Sequence, residues 1–374
     1  MKKLTLMTVI GTRPEIIKLS EIIKKSDLFF NHILVHTGQN YDYELNQIFF
    51  EELGIRKPDY YLNVVGNDLG QTMGNVISKS YELMSEILPD AILLLGDTNS
   101  CLSVISAKRL KIPVFHMEAG NRCFDLNLPE EINRIIVDHT SDINLCYSNI
   151  SKNNLIKEGI ELDKIFVVGS PMNEIINFHI DKIQNSKVLK KLNLESRKYF
   201  VLSVHREENL DNDASFFNIL SIINEITIYY NMPIIFSVHP RTRKKLTDNN
   251  IVLPSSVIVN RPFGFYDYIE LQNNAFCVMS DSGTLAEESA VLKFPAISLR
   301  TSTERQEAIE MGVFILSNNN IDNVFQSIDM ATKIVYNRKT DTLFEYDSLD
   351  VSNKVISLIQ SYTQYINNTT WRKS

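Results

Sequence analysis

Residues 91–120 read AILLLGDTNSCLSVISAKRLKIPVFHMEAG. The apolar run Ala91–Leu95 stops at Gly96-Asp97, a helical pattern follows over Cys101–Leu110, and a second apolar run, Pro113–Met117, stops at Glu118 and Gly120. Two short apolar runs joined by a helix make a strand–helix–strand crossover. Each run also delivers a carboxylate to its own end.

The same alternation extends in both directions. Leu4–Ile10 precedes a helix from Pro14, and Ile33–His36 precedes one near Tyr43–Leu53. Pro113–Met117 leads to a helix over Glu130–His139, and Ile143–Tyr147 and Ile165–Val168 continue the series. A second series runs through Tyr199–Val204, Ile234–Val238, Val257–Val259, Phe276–Ser280, Ala296–Leu299 and Phe314–Leu316. Regular alternation of this kind argues for doubly wound parallel sheets. The segment 171–198 is polar, rich in Lys and Asn, and reads as a linker containing a helix. The boundary is therefore placed near Ser170, giving domains 1–170 and 171–374, with the last helix free to pack back on the first. The expected fold class is α/β, two Rossmann-like domains facing across a cleft. The tail after Ile366, NNTTWRKS, is expected to fray.

Bulk properties narrow the function. A chain of 374 residues exceeds one ordinary core. Its 44% apolar and 22% charged content is that of a soluble globular protein. A net charge of −7 gives no general basic surface, so neither nucleic acid nor an anionic membrane is an expected partner. The four cysteines, Cys101, Cys123, Cys146 and Cys277, form no CxxC pair, which suits a reducing compartment. The start, MKKLTLMTVIGTRPE, resembles a leader only faintly, because its apolar run is short and meets Gly11 and Arg13 directly. It is read as a first strand, and a cytoplasmic location is expected.

In open parallel sheets ligands sit outside the carboxyl ends of the strands, so residues just after each run carry the chemistry. After the first run, Gly11 permits a turn, Pro14 suits the first helical turn, and Arg13 and Lys18 stand at a helix N-terminus, an anion site. Asp97 follows Gly96 and reads equally as a helix cap and as a functional acid. His116 and Glu118 end the next run, and Glu130 and Glu131 open a helix behind Pro129, where Glu is mildly stabilising in any case. In the second half His205-Arg206-Glu207-Glu208-Asn209 and His239-Pro240-Arg241 follow strands. Ser280-Asp281-Ser282-Gly283-Thr284 then opens a helix bearing Glu287 and Glu288, which has the makings of a phosphate cradle of backbone N–H groups. Each feature alone is modest. Their joint placement at strand ends is the signal.

Other chemistries find no support. There is no GxxxxGK[ST], GxGxxG or HExxH. The histidines lie on different strands among basic neighbours, and Asp211 and Asp213 fall in a polar loop, so no metal is expected.

GTRPEIIK (11–18), HTGQ (36–39), GDTNS (96–100), MEAG (117–120) with PEEINR (129–134), HREEN (205–209), SDSGT (280–284) and RTSTERQEA (300–308) occur in that order. This set resembles the non-hydrolysing UDP-N-acetylglucosamine 2-epimerase family, which has the two-domain glycosyltransferase-B fold. The resemblance implies inversion at C2 of a UDP-linked N-acetylhexosamine, a homodimer, no metal and no cofactor, and a role in supplying surface polysaccharides such as capsule or O-antigen. It also implies the route: elimination of UDP to a 2-acetamidoglycal, then re-addition with the proton on the other face. Carried over by position, Asp97, Glu118 and Glu130 match the family's catalytic carboxylates and His205 its catalytic His, without deciding which group removes the C2 proton. Arg13 and Lys18 match its anion-binding first loop, Ser282 and Gly283 its phosphate cradle, Glu288 its ribose-binding group, Arg305 the substrate-binding Arg of T-E-R, and Tyr268 an aromatic near uracil. Phe263 departs from the polar residue expected nearby.

Two further departures bear on substrate and regulation. HTGQH in the family becomes His36-Thr37-Gly38-Gln39-Asn40-Tyr41-Asp42 here, which puts activation by a second UDP-sugar in doubt. The loop after MEAG is short and reads NRCFDLNL. With RTSTER it resembles a subgroup that converts UDP-2-acetamido-2,6-dideoxy-L-talose to UDP-N-acetyl-L-fucosamine, the expected substrate, with UDP-GlcNAc/UDP-ManNAc interconversion as the alternative. The rivals are a hydrolysing epimerase, a UDP-sugar glycosyltransferase of the same fold, and a non-catalytic nucleotide-sugar-binding regulator.

Overall fold

Thr5–Ile10 forms the first strand, β1, and all of it beyond Thr5 is buried. The structure is a computed structural model that describes residues 3–38, 46–206, 209, 212–337 and 344–373. Gln39, Asn40, Tyr41 and Asp42 of the altered HTGQ segment, Tyr43 of the expected helix start, and Glu207, Glu208 and Asp211 lie outside the described residues. The chain divides into two units, Met1–Phe178 with Phe344–Ser374, and His179–Leu343.

The first unit continues from β1 through α1 (Arg13–Phe29), β2 (Asn31–His36), α2 (Gln47–Leu53), β3 (Tyr60–Tyr61), α3 (Leu69–Ile87) and β4 (Ala91–Leu95). A 3₁₀ turn at Asn99–Leu102 leads into α4 (Ser103–Arg109), then β5 (Val114–Met117), α5 (Pro129–Thr140), β6 (Ile143–Cys146), α6 (Asn149–Lys157) and β7 (Ile165–Val167). The strands form a seven-stranded sheet in the order β3-β2-β1-β4-β5-β6-β7, with every pairing parallel. Strands β4, β5 and β6 are buried along their whole length, β4 being AILLL, because helices cover both faces of a parallel sheet. Met7, Val9, Ile92, Leu94, Val104, Val114 and Val137 form one core cluster, and burying each such side chain is worth about 1.5–3 kcal/mol.

Local chemistry starts the helices. Asp68 caps α3 by accepting the Gln71 N–H, and Ser148 caps α6 by accepting the Ser151 N–H. α1 has Pro14 in its first turn, where its missing N–H costs nothing.

The second unit has β8 (Phe200–Ser203), β9 (Ile234–Ser237), β10 (Val257–Asn260), β11 (Cys277–Ser280), β12 (Ala296–Ser298) and β13 (Ile315–Leu316). These pair in parallel in the order β10-β9-β8-β11-β12-β13. Phe200, Leu202, Phe236, Met279, Ile297 and the helical Ile219 and Ile223 pack its core. Between the last strand of the first unit and β8, the polar segment holds short helices at Met172–Phe178, Ile180–Gln184 and Val188–Lys191.

The α/β class with two parallel, Rossmann-like sheets is as expected. In both units the strand order reverses at one place, between β1 and β4 and between β8 and β11. That reversal opens a crevice at the carboxyl ends of the strands on either side.

The tail departs from expectation. Helix Val351–Thr369 runs past Ile366, the Trp371 N–H bonds the Ile366 carbonyl, and Lys108 Nζ lies 5.1 Å from the Trp371 ring centre. Lys373 Nζ also donates to the Lys111 carbonyl at 2.7 Å. An aromatic anchor and a cation on a helix-end carbonyl hold a segment whose composition alone reads as loose.

Candidate active site

At the first reversal point, Glu15 ties two loops together. Its carboxylate accepts the Gly11 N–H, the Thr12 N–H at 3.0 Å, and the hydroxyls of Thr98 at 2.5 Å and Ser100 at 2.6 Å. The turn after β1 and the turn after β4 are thus fastened to one buried acid. Burial raises the Glu15 pKa above the usual carboxylate value, against these four hydrogen bonds. Sequence reading passed over Glu15 because first-turn Glu is common; the signal was the hydroxyl pair Thr98 and Ser100 in GDTNS.

Asp97 does not cap a helix. It is half-buried after β4, and Arg134 of α5 grips one of its oxygens with Nε at 2.7 Å and Nη2 at 2.6 Å. Asn133 donates to the Asp97 carbonyl at 2.8 Å, so two consecutive residues of α5 hold this turn. Glu118 leaves β5 with φ of 65°, a left-handed conformation that is costly for a residue with a Cβ. Its Oε2 meets the Lys18 ammonium at 2.8 Å, and a Cβ placed on Gly96 would stand 4.0 Å from that same oxygen. The Glu118 carboxylate therefore lies over the turn that carries Asp97. Lys18 is almost wholly buried and also faces the Tyr147 ring at 5.6 Å, so its charge is fixed in place.

The two glutamates of PEEINR separate in role. Glu130 is half-buried in the first turn of α5, with no hydrogen-bond or ion-pair partner among the described residues. Glu131 is buried and accepts the Cys123 and Phe124 N–H groups at 3.2 and 2.9 Å and Arg134 Nη1 at 2.6 Å. It anchors the loop 121–128. His116 is buried as well: Nδ1 pairs with Asp138 at 2.8 Å and Nε2 donates to the Gly96 carbonyl at 2.9 Å. Asp138 further accepts the Gly120 N–H at 3.1 Å and Arg122 Nη1 at 2.7 Å. Burial pushes the Asp138 pKa up, but His116 and Arg122 outweigh it and hold it below the usual value. His116, Asp138 and Arg122 are the scaffold behind the Glu118 loop.

Arg13 opens α1 half-buried, its guanidinium carbon 6.0 Å from the Phe49 ring centre. His36 ends β2, accepts the Gly38 N–H at 2.9 Å on Nδ1, and is driven to a pKa of about 4 by burial, so it stays neutral.

At the second reversal point Asp281 is the hub. It is fully buried and accepts the N–H groups of His205 at 3.1 Å and Arg206 at 3.0 Å and the Asn209 amide at 3.0 Å. Burial pushes its pKa up, but the charge and contact of His205, with Asn209 and the Arg206 N–H, hold it at about 2. His205 follows β8, half-buried, with Nδ1 3.1 Å from Asp281 Oδ1. Beside them Ser282 and Gly283 form a turn in which the Ser282 and Thr284 hydroxyls pair at 3.0 Å, ahead of helix Leu285–Leu292. A Cβ on Gly283 would come 2.7 Å from Glu304 Oε1 and 3.8 Å from Arg206 Nη2, so a side chain here has to displace the Glu304 carboxylate. Glu288 is buried and receives the Gln272 amide at 2.7 Å. Arg305 is buried with Nη2 3.2 Å from Glu287, and Glu304 takes Arg300 Nη1 at 2.8 Å. Tyr268 lies half-buried on helix Phe265–Asn273.

Each unit thus carries its polar groups at the carboxyl ends beside its reversal point, which defines a doubly wound α/β protein with carboxylates at the strand ends of one sheet and a helix-start turn on the other. The family model described as UDP-N-acetylglucosamine 2-epimerase matches residues 23–360. A solved structure of UDP-N-acetylglucosamine 2-epimerase from Rickettsia bellii is 43% identical, with a TM-score of 0.91 over 99% of this chain and 100% of that one. The Methanocaldococcus jannaschii UDP-GlcNAc 2-epimerase, solved in complex with UDP-GlcNAc and UDP, is 34% identical, with a TM-score of 0.90 over 96% of this chain and 100% of that one. A Pseudomonas aeruginosa relative, UDP-2,3-diacetamido-2,3-dideoxy-D-glucuronate 2-epimerase, is 34% identical over 86% of this chain and 90% of its own. The chain belongs to the UDP-N-acetylglucosamine 2-epimerase family and is an isomerase. No helix among the described residues is long and apolar enough to cross a membrane.

Proposed function

We propose that this enzyme inverts C2 of a UDP-linked N-acetylhexosamine by eliminating UDP to a 2-acetamidoglycal and adding it back with the proton on the opposite face. The C2 hydrogen has no carbonyl beside it, so direct deprotonation yields a poorly stabilised anion. Removing that proton while the C1–O bond to UDP breaks avoids the anion, and the return step reverses both changes. Such chemistry needs positioned acid/base groups, each worth typically about 10²–10⁴-fold. It also needs donors for the charge that develops on the departing diphosphate.

The observation that carries this reading is the pair of fixed carboxylates at the first reversal point, Glu118 on Lys18 and Asp97 on Arg134, with Glu130 close by in sequence on α5. A transferase needs a single base and an acceptor; several placed carboxylates suit proton work on both faces of a ring. In this reading Asp97, Glu118, Glu130 and His205 are the acid/base groups. Arg13, Lys18, Ser282 and Gly283 hold the diphosphate, Glu288 the ribose and Tyr268 the uracil. Arg305, expected among the substrate-binding groups, is buried on Glu287 and in this reading acts by fixing the helix that carries Glu288. The working unit is a homodimer in the cytoplasm, and the product supplies a surface polysaccharide.

For the sugar, the short loop Asn121–Leu128 supports UDP-2-acetamido-2,6-dideoxy-L-talose, giving UDP-N-acetyl-L-fucosamine. Relatives named for UDP-GlcNAc support UDP-GlcNAc/UDP-ManNAc interconversion as the second reading. Proton NMR of both substrates with enzyme in D₂O separates them. Deuterium is expected at C2 with UDP still attached, first in the L-sugar. Exchange only in UDP-GlcNAc gives the second reading, free UDP with reducing sugar gives a hydrolase, and no exchange in either removes the epimerase.

A further inference from the structure

Asp281 does more than close a loop. It follows β11 directly beside β8, its own N–H bonding the Ser203 carbonyl at 3.2 Å, so its position is set by the sheet register. From there its two oxygens collect the His205 and Arg206 N–H groups and the Asn209 amide, and Oδ1 also lies 3.1 Å from the His205 Nδ1. Asn209 is itself held by the Leu299 carbonyl at 3.3 Å and the Asn319 amide at 2.7 Å. The imidazole is thus presented to the carboxylate by a backbone that the same carboxylate fixes. The 3.1 Å approach does not have hydrogen-bond geometry, so the carboxylate acts on the ring through its charge.

Resting on the epimerase reading, we infer that Asp281 is a positioning residue for His205: it holds the proton on Nδ1 and leaves Nε2 as the ring atom that exchanges protons with substrate. An anionic oxygen facing Nδ1 repels a lone pair and attracts an N–H, which selects one tautomer. A carboxylate that also accepts the Arg206 N–H and the Asn209 amide keeps its charge, and so that bias, at neutral pH. Nε2 has no protein partner among the described residues, and the side chain keeps 34% of its exposure. The arrangement has the logic of a carboxylate behind a catalytic imidazole, where loss of the charge produces the wrong tautomer and a large fall in turnover.

The test uses the intact enzyme labelled with ¹⁵N-histidine, the His205 ring signals being assigned by their absence in His205→Gln. In wild type the neutral ring is expected to carry its proton on Nδ1, with Nε2 bare. Asp281→Asn is expected to populate both tautomers and to lose about 10²-fold or more in kcat with KM changed less than about threefold. A wild-type ring carrying its proton on Nε2 overturns the inference, whether or not the variant folds. So does an Asp281→Asn enzyme that keeps the Nδ1–H tautomer while losing activity, since that is a purely structural role. Normal turnover in Asp281→Asn also overturns it. The tautomer is read without turnover, so absence of C2 exchange in D₂O removes the epimerase reading alone, while a wrong tautomer removes only the role of Asp281.

Discussion

Arg134 reaches Asp97 with two nitrogens, Nε at 2.7 Å and Nη2 at 2.6 Å, and gives its third, Nη1, to Glu131 at 2.6 Å. One planar cation therefore spans the carboxylate after β4 and the acid that anchors the loop 121–128. Lysine cannot span both, because it offers a compact point charge in place of a fork. Arg134→Lys is expected to lower kcat by about 10²-fold while the affinity for UDP stays within about threefold. Initial rates and UDP calorimetry check this, and an equal loss in both would show that Arg134 binds nucleotide. Arg134→Met leaves Glu131 buried without its cation and is expected to cost about 3–5 kcal/mol of stability.

How much of this was legible beforehand depends on the physics of each feature. Strands such as AILLL announced themselves because a sheet covered on both faces demands unbroken apolar runs, and β4 falls where the run does. β3 did not, since Tyr60–Tyr61 is two exposed residues with no pattern to read. Strand ends located the polar groups, yet sequence could not separate neighbours: Glu130 and Glu131 look alike, and only folding shows that Glu131 turns inward onto the Cys123 and Phe124 N–H groups. Asp97 read equally well as a cap or as a functional acid, because its partner Arg134 lies on a distant helix. The tail failed for the same reason, its anchor Lys108 being remote in sequence.

Gly283 stands in the turn proposed to hold the diphosphate, and a Cβ there would press on the Glu304 carboxylate at 2.7 Å. Glu304 cannot swing aside freely, since Arg300 holds it at 2.8 Å. Gly283→Ala is therefore expected to push the turn outward and to weaken UDP binding by about tenfold or more, the worth of roughly one good hydrogen bond to a charged group. Calorimetry with UDP alone reads the effect. Unchanged affinity would remove this turn from the nucleotide site.

Gly120 makes a purely structural prediction. It has φ of 79°, and a Cβ there would stand 2.2 Å from the Ser151 carbonyl oxygen at the start of α6. Backbone cannot yield as a side chain can, and its N–H is already committed to Asp138 at 3.1 Å. Gly120→Ala combines left-handed strain with a collision and is expected to destabilise the protein by about 3 kcal/mol or more, seen as a fall in Tm and in soluble yield. An unshifted Tm would mean that α6 can move away from the MEAG turn.

Acid should act through Asp281. Its folded pKa of about 2 lies below the ordinary 3.8, so folding favours the anion. The resulting stability is fully present above pH 4 and is lost as pH falls through about 2, amounting to about 2 kcal/mol for a depression of this size. Asp138, also held below its usual value, adds in the same direction, whereas Glu15, raised by burial, contributes stability at low pH that is lost as pH rises through its folded pKa. Urea midpoints followed by circular dichroism between about pH 5 and pH 2 should therefore decline in wild type, with a shallower decline in Asp281→Asn. Equal slopes in the two proteins would show that the Asp281 charge, although buried beside His205, does not set the acid limit of the fold.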